Sequence, residues 1–118
     1  MAQALKKTTG ITGLAVCHNP HIVLTDLYAR ILRIVTHFPE ESAYKRHTMK
    51  LVQERDNIVR KTKNVADIEE KIGCGQVEEL IIQAKNELSL AEKMRLWKPW
   101  ESLVEESPPH QWDWPPHK

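Results

Sequence analysis

Residues 76–97 read QVEELIIQAKNELSLAEKMRLW, and this stretch decides the fold class. Val77, Leu80, Ile81, Ala84, Leu88 and Ala91 recur at spacings of three and four. At the helical repeat they fall within about 100° and form one core-facing stripe of ordinary width. Leu90, Met94 and Trp97, spaced i, i+4, i+7, lie on a different face. A helix with a single neighbour needs only one apolar stripe. The second is covered either by the chain's own tails or by another protein. Pro99 ends the helix.

Working back from this segment, Gly73-Cys74-Gly75 reads as a tight turn. Gly73 occupies the position after a helix where a left-handed residue is favoured, closing a short helical turn from Val65 to Ile72 capped by Asn64. A helix starting near Ser42 places Tyr44, Thr48, Leu51, Val52, Ile58 and Val59 on one side. Lys45, Arg46, Lys50, Arg60 and Lys61 fall mostly elsewhere. Another begins at Asn19-Pro20, an N-cap followed by proline at the first helical position, where the missing N–H costs nothing. Its face is Leu24, Leu27, Tyr28, Ile31, Leu32, Val35 and Phe38, and Pro39 stops it. No strand signal or internal repeat is visible. The expectation is an all-α single domain: a three-helix bundle over 19–98 with a short extra helical turn, an extended amino-terminal segment (1–18) and an irregular Trp/Pro-rich tail (99–118).

The 118 residues carry 17 Lys+Arg and 16 Asp+Glu, a formal charge of +1. That balance lacks the electrostatic pull of a dedicated nucleic-acid binder. Asp26, Arg30 and Arg33 interrupt the richest apolar segment, so no direct membrane span is expected. The net value hides an asymmetry: residues 1–63 hold 11 basic and 5 acidic side chains, residues 64–118 hold 6 and 11. The halves should attract each other or opposite partners. Two cysteines are too few for a secreted disulfide scaffold. Lys6, Lys7, Thr8, Thr9 and Thr12, ahead of the first acid at Asp26, resemble a weak mitochondrial import signal without arginine.

Cys17-His18-Asn19-Pro20-His21 offers imidazole and thiolate close together, but no second ligand pair follows at zinc-site spacing; Cys74, His37 and His47 are scattered. His18 and His21 read as polar residues at a helix start. The turn at Gly73 lacks both phosphate-loop signatures, and Glu78 and Glu79 would repel an anion there. Glu69 with Glu70, and Glu78 with Glu79, read as solvated helix faces. No nucleophile elbow or metalloprotease helix occurs, so catalysis is not expected. Lys45, Arg46, Lys50, Arg55, Arg60, Lys61 and Lys63 make a basic run opposed only by Glu54 and Asp56. It supports an alternative reading as a basic helical RNA-binding factor, although only Tyr44 is there to stack on bases.

A self-contained bundle explains the tryptophans least. Trp97, Trp100, Trp112 and Trp114, all four, lie in the last 22 residues around Glu101, Glu105, Glu106, Pro108 and Pro109. Solvating tails normally lack aromatics. Tryptophan is enriched among residues that dominate interfaces, where truncation can cost about 2 kcal/mol or more. Leu90, Met94, Trp97, Trp100, Trp112 and Trp114 are therefore the candidate partner-docking residues. The competing reading wraps the tail over its own helices, covering Leu90 and Met94.

Several blocks together resemble one family: Lys6-Lys7-Thr8-Thr9-Gly10, Gly13-Leu14-Ala15-Val16-Cys17, Gly75-Gln76-Val77-Glu78-Glu79, Lys93-Met94-Arg95-Leu96-Trp97-Lys98-Pro99-Trp100-Glu101 and Gln111-Trp112-Asp113-Trp114-Pro115. It is the 13-kDa accessory subunit family, alpha subcomplex subunit 5, of mitochondrial NADH:ubiquinone oxidoreductase, respiratory complex I. The likeness covers almost the whole length; residues 22–72 match mainly in pattern. It implies a helical, cofactor-free, non-catalytic subunit on the matrix side of the inner membrane, peripheral, imported without a cleaved presequence. The likeness further implies that such a subunit stabilises or helps assemble the matrix arm. The implied partners are the 30-kDa iron–sulfur-protein core subunit first and the 42-kDa accessory subunit second, with no nucleic acid. No ligand set for flavin or iron–sulfur clusters is present. Departures from the family pattern lie at 36–38, 49–58 and the Pro116-His117-Lys118 ending.

Overall fold

The structure is a computed structural model that describes residues 7–115. Lys6 of the amino-terminal block and the Pro116-His117-Lys118 ending lie outside the described residues. Four helices and no strands are found among those residues: α1 (Pro20–Thr36), α2 (Ala43–Lys61), α3 (Val65–Ile72) and α4 (Val77–Trp97). The expected all-α bundle with a short extra helix is the observed architecture.

The α4 stripe behaves as its spacing predicts. Val77, Leu80, Ile81, Ala84 and Ala91 are buried, and Leu88 is half-buried against them. α1 is the central element, packed along both α2 and α4. Its Leu24, Ile31 and Val35 are fully enclosed, joined by Val59 of α2, Ile68 of α3 and Leu80 of α4. Each such side chain contributes about 1.5–3 kcal/mol of burial. His21 Nε2 donates to the Thr62 carbonyl at 2.9 Å, tying the start of α1 to the end of α2. Tyr44 donates to Glu87 at 2.5 Å and Arg55 to Gln83 at 3.0 Å, bridging α2 and α4. Burial and the Glu87 carboxylate push the Tyr44 phenol well above the usual tyrosine range.

Helix ends show where periodicity stops informing. Ser42 caps α2, its Oγ accepting from Lys45 N–H at 3.2 Å, and Asn64 caps α3, accepting from Ala66 N–H at 3.0 Å. Gly73 takes the left-handed conformation at the end of α3, φ 71°. Asn19 does not cap α1 with its side chain; its Oδ1 instead accepts from Cys17 Sγ at 3.6 Å. α1 ends at Thr36, before Pro39, so Phe38 lies beyond the helix yet is buried.

Lys45, expected off the apolar side, is buried. Its ammonium donates to the Phe38 carbonyl (2.9 Å), the Thr36 carbonyl (3.4 Å) and Glu40 (2.8 Å). The end of α1 leaves carbonyls without helical partners, and a cation from the next helix satisfies them. The same hydrogen bond and charge hold the Glu40 carboxyl below the usual carboxylate range.

The paired carboxylates are corrected too. Glu79 accepts from the Gln76 N–H at 2.8 Å, half of a capping box, and Glu69 accepts from the Val77 N–H at 3.2 Å. Glu78 is buried at 3% exposure. Glu69, Glu78 and Glu79 complement the helix dipole and its orphan N–H groups and are not a solvated face, whereas Glu70 is exposed as expected. Gly75 has φ 95°, and a Cβ there would run into the Glu79 carboxylate, so the cap requires glycine.

The amino-terminal segment is pinned to the same corner. Thr9 is buried; its Oγ1 donates to the Leu14 carbonyl at 2.7 Å, and its carbonyl accepts from Gln76 Nε2 at 2.6 Å. The molecule measures 67 × 34 × 21 Å with a radius of gyration of 19.2 Å. A compact chain of this length has about 13–14 Å. The excess fits a carboxy-terminal tail on which every residue from 101 to 115 is exposed.

Candidate functional site

At the end of α4 the chain turns on Lys98, a non-glycine residue at φ 51°, whose N–H donates to the Met94 carbonyl at 2.9 Å. Pro99 has no N–H to continue the ladder. Glu101 N–H then donates to the Lys98 carbonyl at 3.1 Å, and this turn swings Trp100 back onto Phe38, ring centroids 4.9 Å apart. Beyond Trp100 the local order is internal to the tail. Gln111 N–H donates to the Pro108 carbonyl at 3.2 Å, and His110 Nδ1 to Asp113 Oδ2 at 2.7 Å.

The six candidate docking residues divide. Met94 and Trp100 are half-buried against the core. Leu90 is 38% exposed, Trp97 64%, Trp112 81% and Trp114 87%. The tail does not return to cover the second stripe of α4. Leu103 and Val104, and Leu96 on the helix, are as open as the tryptophans. The sequence-derived docking set left these three out, because it was drawn from the second α4 stripe and the tryptophans. The available signal was that no periodic face claimed them. Exposed large apolar side chains gain on leaving water, which makes these positions candidates for an interaction surface.

Other candidates separate in space. Cys17 bonds within its own turn, whereas His21 faces Thr62. Cys74 is exposed and its sulfur accepts from Arg55 at 3.3 Å. The basic run is broken up: Lys45 is inside, Arg55 faces Gln83 and Cys74, and Arg60 pairs with Asp56 at 2.9 Å. Arg46, Lys50, Lys61 and Lys63 remain exposed. A groove of about 330 Å³ lies between α2 and α4, walled by Leu51, Arg55, Gln83 and Glu87 and floored by Tyr28 and Ile31. The Tyr28 hydroxyl is buried there without a hydrogen-bond partner of good geometry. Burial raises its pKa, against the nearby Arg55 charge. No helix among the described residues is long and apolar enough to cross a membrane.

Residues 13–79, from the amino-terminal segment into the first turn of α4, match the family model described as the ETC complex I subunit conserved region. The chain is also 51% identical to the Bos taurus NADH dehydrogenase [ubiquinone] 1 alpha subcomplex subunit 5 over 115 residues, 98% of this chain and 99% of the bovine one. The chain belongs to the alpha subcomplex subunit 5 family of complex I. More distant members of the family keep the likeness. The Caenorhabditis elegans protein described as probable subunit 5 is 46% identical over 93% of this chain and 73% of its own length. The Arabidopsis thaliana protein, described as probable and mitochondrial, is 42% identical over 81% of this chain and 57% of its own. The family model thus rests on the helices that the sequence matched mainly by pattern. The tryptophan blocks lie within the span aligned to the bovine protein.

Proposed function

We propose that this chain is an accessory subunit of mitochondrial respiratory complex I that stabilises or helps assemble the matrix arm, peripheral on the matrix side, and performs no redox step itself. Family membership supports the assignment to the complex, whose relatives are named for NADH oxidation with ubiquinone as acceptor. The observation that carries the docking role is the wholly exposed run 101–115, with Leu103, Val104, Trp112 and Trp114 open on a bundle that closes its core without them. Leu90 and Trp97 extend that surface onto α4, and Trp100, fixed on Phe38, sets where it leaves the bundle. The 30-kDa iron–sulfur-protein core subunit is the first partner assigned, the 42-kDa accessory subunit the second. The Glu79 and Glu69 carboxylates at the start of α4 accept from the backbone N–H groups of Gln76 and Val77, which supports a structural role for these acids.

The test is to supply mitochondria lacking this subunit with the full chain or with residues 1–100. Incorporation into the intact complex is read on native gels, and cross-links from positions 97–115 are mapped. The full chain should incorporate and cross-link to the 30-kDa subunit, whereas the shortened one should incorporate poorly. Equal incorporation, or cross-links confined to this chain, would reject the docking role.

A further inference from the structure

The tail has a charge signature as well as an aromatic one, and the partner chemistry it implies rests on the docking role proposed for this chain. From position 99 to 115 the chain has no Lys or Arg but carries Glu101, Glu105, Glu106 and Asp113. Asp113 is engaged by His110 at 2.7 Å. Glu101, Glu105 and Glu106 are exposed and bracket Leu103 and Val104, which are 83% and 98% exposed. When Leu103 and Val104 leave water, the flanking carboxylates lose part of their hydration. Facing cations offset that loss, and an apolar or acidic surface does not. Nucleic acid and anionic lipid headgroups repel such a segment. The basic amino-terminal half of this chain does not receive it, since every residue from 101 to 115 stands exposed.

We propose that residues 101–115 form an acidic, aromatic strap that seats on a protein surface lined by Lys and Arg and indented with apolar pockets for Leu103, Val104, Trp112 and Trp114. The carboxylates set register and speed encounter, and the indoles supply the hold. Trp100 anchors one end of the strap, and Pro108, Pro109 and Pro115 restrict its backbone, so less freedom is lost on seating.

The test compares E101Q/E105Q/E106Q and W112A/W114A with the unaltered chain in the assembled complex over a series of salt washes. The readouts are retention at low salt and the salt concentration that releases half of the subunit. The glutamine variant should lose retention roughly tenfold at low salt and show a flattened salt dependence. The tryptophan variant should lose retention at every salt concentration while keeping the salt dependence. Unchanged retention and salt profile in the glutamine variant, with the tryptophan variant released, overturns the basic partner surface and leaves docking intact. Tighter retention of the glutamine variant also overturns it. Two variants that both behave like the unaltered chain overturn docking itself. All five positions are exposed, so equal melting of the free chains confirms that folding is not the cause.

Discussion

The two ends of this chain are both irregular, and they are held in opposite ways. At the amino-terminal end, small polar residues turn the backbone on itself. Gly10 N–H bonds Thr8 Oγ1 at 3.1 Å, Ile11 N–H bonds Thr9 Oγ1 at 3.2 Å, and Gln76 of the α4 cap bonds the Thr9 carbonyl at 2.6 Å. At the carboxy-terminal end, large apolar side chains follow Trp100 and none returns to the bundle. An irregular segment can be internal structure when its backbone groups find partners, and interface when its side chains must look outside for theirs.

The sharpest way to break that contrast is W112A/W114A. The free chain should melt within about 0.5 kcal/mol of the original. Binding to the complex should weaken by about tenfold or more per tryptophan, measured as retained subunit. A large drop in free-chain stability would make the tail internal structure after all. At the other end, Gly75→Ala should cost about 2 kcal/mol or more in urea unfolding, because it strains a positive φ and displaces the Glu79 cap on which the amino-terminal segment docks. Thr9→Val should cost about 1–2 kcal/mol by the same measurement, leaving the Leu14 carbonyl without its donor.

The boundary between the two regimes runs through the tryptophans, and a smaller effect locates it. Trp100→Ala should destabilise the free chain by about 1 kcal/mol through lost packing on Phe38, whereas Trp97→Ala should stay within about 0.5 kcal/mol. Smallest at neutral pH is the phenol effect. Tyr28 and Tyr44 have folded-state pKa values raised above those of the unfolded chain. The stability they confer is therefore complete below about pH 10 and is lost as pH rises toward the folded values. Phenolate absorbance should lag behind that of a denatured control on alkaline titration. Tyr44→Phe should remove its share of the lag without altering retention in the complex.

Much of the bundle was legible in the sequence. The stripe of α4, proline at the start of α1, the helix start near Ser42, the Asn64 cap and the left-handed Gly73 follow from local rules that act within one or two turns. The inward turn of Lys45 was not legible, because its partners are carbonyls of another helix and a lysine in a helical pattern reads as surface. Glu69 and Glu79 were illegible for the same reason: adjacency of two carboxylates says nothing about whether an orphan N–H lies within reach. The candidate site was half legible. Four tryptophans crowded near one end singled out the proposed docking surface, but composition could not divide Trp100 and Met94, which lean on the bundle, from Trp97, Trp112 and Trp114, which do not.

By itself the sequence determined that this chain makes helices, where they start and stop to within a few residues, which faces are apolar, and which family it resembles. Those properties depend on side-chain periodicity and short-range caps. Only the tertiary structure decided which end is tied down and which stands open. That outcome turns on whether Gln76 reaches the Thr9 carbonyl, 67 positions away, and whether the tail folds back onto the open face of α4, which it does not. Contacts between distant residues are fixed by packing in three dimensions, and no local pattern encodes them.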